Sequence, residues 1–316
     1  MSLQEMGLRI ARITEVAKDI RSFELMRPDQ SQLPGFTAGS HVTVRVPNGE
    51  LRKYSLCNDP AERHRYVITV KREASGRGGS VNLIDNARAG DILPTSPPDN
   101  AFPLEDSAQS YIFIAGGIGI TPILSMIRFV DQTTKPWKLI YLTHSPERTA
   151  YLQELAVHRC RDKLRVHHSF GDPSRSFDLW PVLERPTGAH IYCCGPKRLM
   201  ESVRDMSGHW PSFNVHFESF IEGGTTGADD QPFQVKASRS GRVFEVPPGS
   251  TILSVLRGAG YELPSSCESG TCGTCKTHLL AGEPDHRDMV LLPEERSSRI
   301  MICVSRAKSN ELVLDL

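Results

Sequence analysis

The stretch Cys267-Glu-Ser-Gly-Thr-Cys272-Gly-Thr-Cys275, followed after 27 intervening residues by Cys303, decides how the C-terminal part of this chain is built. Gaps of four and two residues let one loop present three thiolates, and the distant cysteine closes the set from another strand. This is the C-x4-C-x2-C…C spacing that holds a plant-type [2Fe–2S] cluster. Gly270 and Gly273 allow positive φ and close backbone approach. Ser269, Thr271 and Thr274 carry hydroxyls able to bond sulfur. Structural zinc is the competing reading, but its sites usually pair two short knuckles, and only one short pair exists here. The loop therefore points to single-electron chemistry.

The flanking residues agree with a ferredoxin. Residues 233–238 and 242–246 surround a Ser240-Gly241 turn, and Ser250 is expected to cap a helix ending near Gly258. Residues 300–304 and 312–316 supply further strands. A hairpin, a helix, a ligand loop and more strands specify a β-grasp ferredoxin domain over residues 233–316. Just upstream, Glu222-Gly-Gly-Thr-Thr-Gly-Ala-Asp-Asp-Gln is polar and glycine-rich, which places a linker at residues 224–232.

Residues 104–223 have a different rhythm. Apolar strand candidates at 111–115, 139–142, 164–168, 191–194 and 215–217 alternate with helix-like pieces at 122–130 and 197–206. Such alternation makes a doubly wound parallel α/β sheet. Gly116-Gly-Ile-Gly-Ile-Thr121-Pro122 follows the first strand and opens a helix, so backbone amides can face a phosphate, with Thr121 expected to cap. Proline stands where a third fingerprint glycine would be, and a purely structural glycine turn is the alternative. Cys194-Gly195-Pro196 ends a later strand of the same sheet, where open α/β sheets place ligands. The bland reading of Cys193 and Cys194 is packed thiols.

Residues 1–103 read as short strands separated by turn residues such as Pro47-Asn48-Gly49, the pattern of a small antiparallel β-barrel. Arg52-Lys-Tyr54-Ser55 offers a cation, a ring and a hydroxyl within four residues, enough to hold a flat heterocycle, though ordinary strand sequence looks the same. Gly76-Arg-Gly-Gly-Ser80 reads as an anion nest whose serine caps a helix over 81–86. The order of the three segments adds weight to each. Hydride carriers deliver electron pairs and a [2Fe–2S] cluster accepts one electron, so a flavin is needed between them, and the barrel has the parts to hold it.

Together, R-x-Y-S-L at 52–56, G-G-I-G-I-T-P at 116–122, C-C-G-P at 193–196 and the cysteine loop resemble the phthalate dioxygenase reductase family, the flavin-dependent reductases of two-component aromatic-ring oxygenases. The likeness extends to Tyr54-Ser-Leu-Cys-Asn58, His209-Trp-Pro211, His216-Phe-Glu-Ser-Phe220 and His286-Arg-Asp-Met-Val-Leu291. Vanillate demethylase reductases share most of these motifs. The resemblance implies FMN in the barrel, NADH on the middle sheet and aromatic hydrocarbon catabolism as the setting. Arg52, Tyr54 and Ser55 match the flavin-ring motif, and Lys71, Gly79 and Ser80 the flavin phosphate region. Gly117, Gly119 and Thr121 match the nucleotide motif, and Cys194 and Gly195 lie beside the nicotinamide. Cys194 and Thr121 are thereby implied at the reacting centre, and Phe220 matches an aromatic near the flavin. One departure is His144-Ser145, where an Arg-Asp pair is expected.

Bulk properties fit this reading. Lysine plus arginine equal aspartate plus glutamate at 37 each in 316 residues, so no net field draws nucleic acid or an anionic membrane. Residues 1–8 lack the apolar core of a signal peptide, and the most apolar window, 111–127, is interrupted by glycines and falls short of a bilayer span. Cys57, Cys160, Cys193 and Cys194 have no disulfide-framework spacing. A reduced, cytoplasmic, monomeric protein is expected. No C-x-H…C-x2-H Rieske pattern occurs, so the terminal oxygenase is expected to be a separate polypeptide. The rival readings are a reductase serving an O-demethylase and a ferredoxin-like carrier with an inert nucleotide fold.

Overall fold

The computed structural model describes residues 5–74, 78–157, 163–220 and 230–316. The chain divides into two compact units, Met1–His216 and Phe217–Leu316. Cys160, Gly76 and Arg77 of the proposed nest, and most of the expected linker lie outside the described residues.

The first unit begins with six antiparallel strands: β1 (Met6–Ala17), β2 (Ile20–Met26), β3 (His41–Arg45), β4 (Leu51–Ser55), β5 (Tyr66–Lys71) and β6 (Ile92–Thr95), in the order β4-β3-β6-β1-β2-β5. An antiparallel bridge from Leu56 to Ile68 joins the two edges. The sheet thus closes into a barrel and loses the open edges that invite aggregation. Alternation along the strands sends Leu8, Ile10, Phe23, Leu25, Val42, Val44 and Ile68 inward. Helix α1 (Gly79–Asn86) seals the barrel with Leu83 and Ile84.

Next comes a five-stranded sheet of β7 (Tyr111–Gly116), β8 (Trp137–Thr143), β9 (Leu164–His168), β10 (His190–Cys194) and β11 (Val215–Glu218), in the order β11-β10-β7-β8-β9, with β10, β7, β8 and β9 paired in parallel and the unit boundary falling within β11. Strands β7 and β10 are buried along their whole length, as expected of parallel strands covered on both faces. Helices α2 (Ile120–Val130), α3 (Leu152–Val157), α4 (Trp180–Leu183) and α5 (Lys197–Met206) connect them. The chain runs outward through β8 and β9, then returns to the other side of β7 to form β10. That reversal makes the β7/β10 edge a topological switch point, the crevice where such sheets bind ligands.

The second unit holds β12 (Phe233–Ala237), β13 (Val243–Val246), α6 (Ile252–Gly258), β14 (Lys276–Ala281), β15 (Pro284–Asp285), β16 (Arg299–Met301), β17 (Arg306–Ala307) and β18 (Glu311–Leu314). The main sheet runs β13-β12-β18-β14-β16, with β12 parallel to β18 and the other pairings antiparallel. This is the β-grasp arrangement. Thr251, not Ser250, caps α6, in a reciprocal box with Ser254. Arg306, only 2 % exposed, donates to the carbonyls of Ser250 and Gln231 and lies 3.4 Å from Asp230. Arg287 holds Asp230 through two further bonds of 2.7 and 3.2 Å. Asp230 and Gln231 are therefore tied into this unit. Among the described residues no helix is long and apolar enough to cross a membrane.

Candidate cofactor sites

The cluster loop connects α6 to β14, and positive φ at Gly270 and Gly273 turns it sharply. A side chain at Gly270 would strike Val304, since a Cβ there would lie 2.7 Å from Val304 Cγ2. Backbone N–H groups of Ser269 and Thr271 donate to Cys267 Sγ at 3.4 Å, and Thr274 Oγ1 lies 3.3 Å from Cys272 Sγ. The four thiols form two hydrogen-bonded pairs, Cys267 with Cys272 and Cys275 with Cys303. The bond from Cys272, with those of Ser269 and Thr271, lowers the Cys267 thiol, while the same bond and burial raise Cys272, so one sulfur of this pair is favoured as thiolate, the form that binds iron. Two pairs suit two irons, as a [2Fe–2S] cluster requires. Cys275 and Cys303 are buried while Cys267 and Cys272 are partly exposed, so one pair faces solvent. Cys57, Cys193 and Cys194 are buried in the other unit.

In the barrel, β4 pairs with β3 so that Arg52 lies opposite Val44, Tyr54 opposite Val42 and Ser55 opposite His41. Arg52 and Tyr54 therefore share one face of the strand, and the buried Ser55 points to the other. The motif is not a single hand of three side chains. What the fold does join is Arg52 and the start of α1: a Cβ at Gly79 would fall 2.5 Å from Arg52 Nε. The guanidinium stem lies flat on that glycine and also pairs with Glu50 at 2.5 Å. Ser80 lies inside α1 instead of capping it. The N-cap is Gly78, in the left-handed region, and Ser80 Oγ accepts from the Glu73 amide at 3.2 Å. Lys71 pairs with Glu73 at 2.9 Å, so Lys71, Glu73 and Ser80 form one polar rim beside Arg52 and Gly79. A cation over a helix start fits an anionic flavin phosphate.

At the switch point, the glycine turn and the end of β10 interlock. A Cβ at Gly119 would lie 2.1 Å from the Cys194 carbonyl oxygen, and one at Gly195 would lie 2.9 Å from Gly116 Cα. Gly117 adopts φ 54° with open space around its missing side chain. The three glycines thus have separate causes: conformation at 117, contact at 119 and 195. Thr121 does not cap α2. It is 2 % exposed, and its hydroxyl donates back to the Ile118 carbonyl at 3.1 Å. Cys194 is fully buried at the strand end. Phe220, 42 % exposed, belongs to the second unit.

Beyond β8 and β9 the structure gathers His144, already noted as a departure, with Phe170 and Arg175, which the sequence reading did not single out. His144 packs against Gly171, and Thr143 Oγ1 bonds His168 Nδ1 at 2.8 Å. Phe170, 49 % exposed, carries the Arg175 guanidinium 4.8 Å above its ring. Arg148 turns to Asp19 of the barrel, 3.4 Å away. Phe170 and Arg175 left no periodic signal, because neither belongs to a strand or to a longer helix.

Residues 235–308 match the family described as 2Fe-2S iron-sulfur cluster binding domain, and residues 7–102 match that described as oxidoreductase FAD-binding domain. Over 311 residues the chain is 54 % identical to phthalate dioxygenase reductase of Burkholderia cepacia, covering 98 % of this chain and 97 % of that one. The chain belongs to the phthalate dioxygenase reductase family. The reductase subunit of phthalate 4,5-dioxygenase from Pseudomonas putida is 53 % identical, with 98 % and 96 % covered. A solved phthalate dioxygenase reductase, described as a modular structure for electron transfer from pyridine nucleotides to [2Fe-2S], superposes with TM-score 0.75 at 53 % identity, covering 99 % and 98 %. As a member of the phthalate dioxygenase reductase family, the chain is an oxidoreductase with a flavin barrel, a nucleotide-binding sheet and a C-terminal [2Fe–2S] domain.

Proposed function

We propose that this chain is an NADH-dependent FMN and [2Fe–2S] reductase that feeds a separate Rieske-type oxygenase, with phthalate dioxygenase the partner best supported by its relatives. It works as a cytoplasmic monomer meeting its partner transiently. The observation that carries the reading is the interlock of Gly119 with the Cys194 carbonyl at the switch point, in the same compact unit as the Arg52–Gly79 cradle. A flavin, when bound, takes electrons in pairs and passes them on singly; the protein supplies binding, orientation and electrostatics.

Each chain residue then has a limited task. Arg52, Gly79 and the Lys71–Ser80 rim hold the flavin phosphate, with Tyr54 at the ring and Ser55 on the opposite face of the strand. Gly117 and Gly119 seat the nucleotide. Cys194 and Gly195 set the nicotinamide position, and Thr121 stiffens the turn from behind. Cys267 and Cys272 hold one iron, Cys275 and Cys303 the other.

FMN is favoured over FAD because the cradle presents one compact phosphate seat at the start of α1. NADH is favoured over NADPH because Arg148 is engaged by Asp19, and a 2′-phosphate needs a cation. The test is chromatography of the released flavin, followed by kcat/KM for both coenzymes and electron delivery to purified oxygenase. FAD in the supernatant, or a preference for NADPH working through Arg175, would overturn the corresponding half.

A further inference from the structure

Helix α2 starts at the nucleotide turn, and its far end grips the barrel just past the flavin strand. We propose that Arg128, with Glu154 and Tyr151, positions the barrel on the nucleotide sheet and so sets the approach of the flavin to the nicotinamide. This rests on the two seats proposed above. Arg128 Nη1 donates to the Cys57 carbonyl and Nη2 to Glu154 Oε1 of α3. Cys57 stands two residues beyond Ser55, and its own N–H donates to Val67 of β5 at 2.9 Å. One planar guanidinium thus bonds the carbonyl at the end of the ring-binding segment and is held rigid by a carboxylate. Arginine suits this task, because its fork is pre-organised and lysine presents only a point charge.

A second tie runs beside the first. The Tyr151 hydroxyl lies 2.5 Å from Thr69 Oγ1 of β5 and 3.7 Å from Cys57 Sγ. Tyr151 holds φ 60°, a left-handed conformation uncommon for a bulky residue, which persists only where its surroundings over-determine it. A third tie joins Gln132, just past α2, to Asp59 Oδ2 at 2.5 Å. Beneath them Met126 fills the space over Gly39, where a Cβ would sit 3.0 Å from its Cε. All three polar ties converge on residues 57–69, next to the flavin-ring motif. Hydride transfer demands reacting atoms about 3–3.5 Å apart, and an error near 1 Å costs on the order of a hundredfold. Arg128 is accordingly a positioning residue, acting through Cys57 without touching either cofactor.

The experiment uses full-length holoenzyme carrying Arg128→Gln, Arg128→Lys or Tyr151→Phe. Stopped-flow reduction at saturating NADH gives the limiting rate, and its concentration dependence gives Kd. Arg128→Gln is expected to slow the limiting rate about 10- to 100-fold and to weaken the charge-transfer absorbance. NADH Kd should stay within about threefold and flavin content should not change. Arg128→Lys should recover part of the rate. Amide hydrogen exchange should quicken across residues 56–60 in Arg128→Gln. If Arg128→Gln does not fold, Tyr151→Phe carries the test with a several-fold loss in rate. A folded variant with wild-type rate, absorbance band and exchange would overturn the proposal, as would a rate loss that only tracks lost flavin. Failure of NADH to reduce the wild-type flavin would instead overturn the parent reading, and the exchange measurement would still decide the clamp.

Discussion

Replacing Gly119 with alanine separates a contact requirement from a conformational one. The new Cβ would stand 2.1 Å from the Cys194 carbonyl oxygen, 2.5 Å from its carbonyl carbon and 2.9 Å from the Gly195 nitrogen. All three are backbone atoms at the end of β10 and the residue after it, so no side chain can rotate away. Ordinary contact needs about 3.4 Å, and the turn must therefore retreat by roughly 1.3 Å. Overpacking of this kind costs about 1–3 kcal/mol, or roughly 2–4 °C of melting temperature per kcal/mol in a unit this large. Function should suffer more, because a displacement near 1 Å at the nucleotide seat costs on the order of a hundredfold in transfer rate. Gly117→Ala is the matched comparison. Its Cβ meets nothing, so only the left-handed backbone is penalised, by roughly 1–2 kcal/mol. Calorimetric titration with NADH, limiting rates of flavin reduction and thermal melts should rank Gly119→Ala well below Gly117→Ala in rate. Equal rates in the two variants, or unimpaired NADH binding by Gly119→Ala, would refute the interlock as the seat of the nucleotide.

Serine at Cys267, Cys272, Cys275 or Cys303 should each lower iron per chain, whereas Cys57→Ser, Cys193→Ser and Cys194→Ser should retain a full complement; iron analysis decides. A C-terminal module begun at Phe233 loses Asp230 and Gln231 and strands the buried Arg306, which costs about 3 kcal/mol or more. It should melt at least about 10 °C below a module begun at Asp230, given 4–8 °C per kcal/mol for a domain of that size, and equal melting would disprove the anchor. Burial pushes His216 down to about 4, where it stacks on Tyr192 and bonds His190 at 3.0 Å. The fold favours neutral imidazole, so its contribution is present above about pH 6.5, the unfolded value, and fades as pH falls toward 4. Melts of wild type and His216→Phe between pH 7.5 and 4.5 should show a shallower slope in the variant, and identical slopes would remove His216 from the account.

The cysteine loop was legible in sequence because cluster ligation is a matter of covalent spacing, and the switch-point glycines because they punctuate a strand-to-helix turn. Sequence propensity favours Ser250 as the helix cap, since serine outranks threonine at that position, yet Thr251 is the cap. The deciding partner, Ser254, lies three residues beyond only the second. Side-chain direction was harder. Ser55 faces away from Arg52 because of strand alternation, and Thr121 turns back to the Ile118 carbonyl, which Pro122 four residues on cannot serve with a helical N–H. Arg128, Tyr151 and Arg175 gave no local signal at all, since their partners lie far away in sequence or in loops.

Helix α2 places the glycine turn and Arg128 nine residues apart on one rigid rod, and that number is not adjustable. Adding or deleting a single residue would shift Arg128 by about 1.5 Å along the axis and swing it about 100° around it, out of reach of the Cys57 carbonyl. Insertions are tolerated in most surface connections of such a protein, but across this helix the tolerated length change is zero. The segment is a gauge, and any functioning relative that keeps the arginine must keep the count.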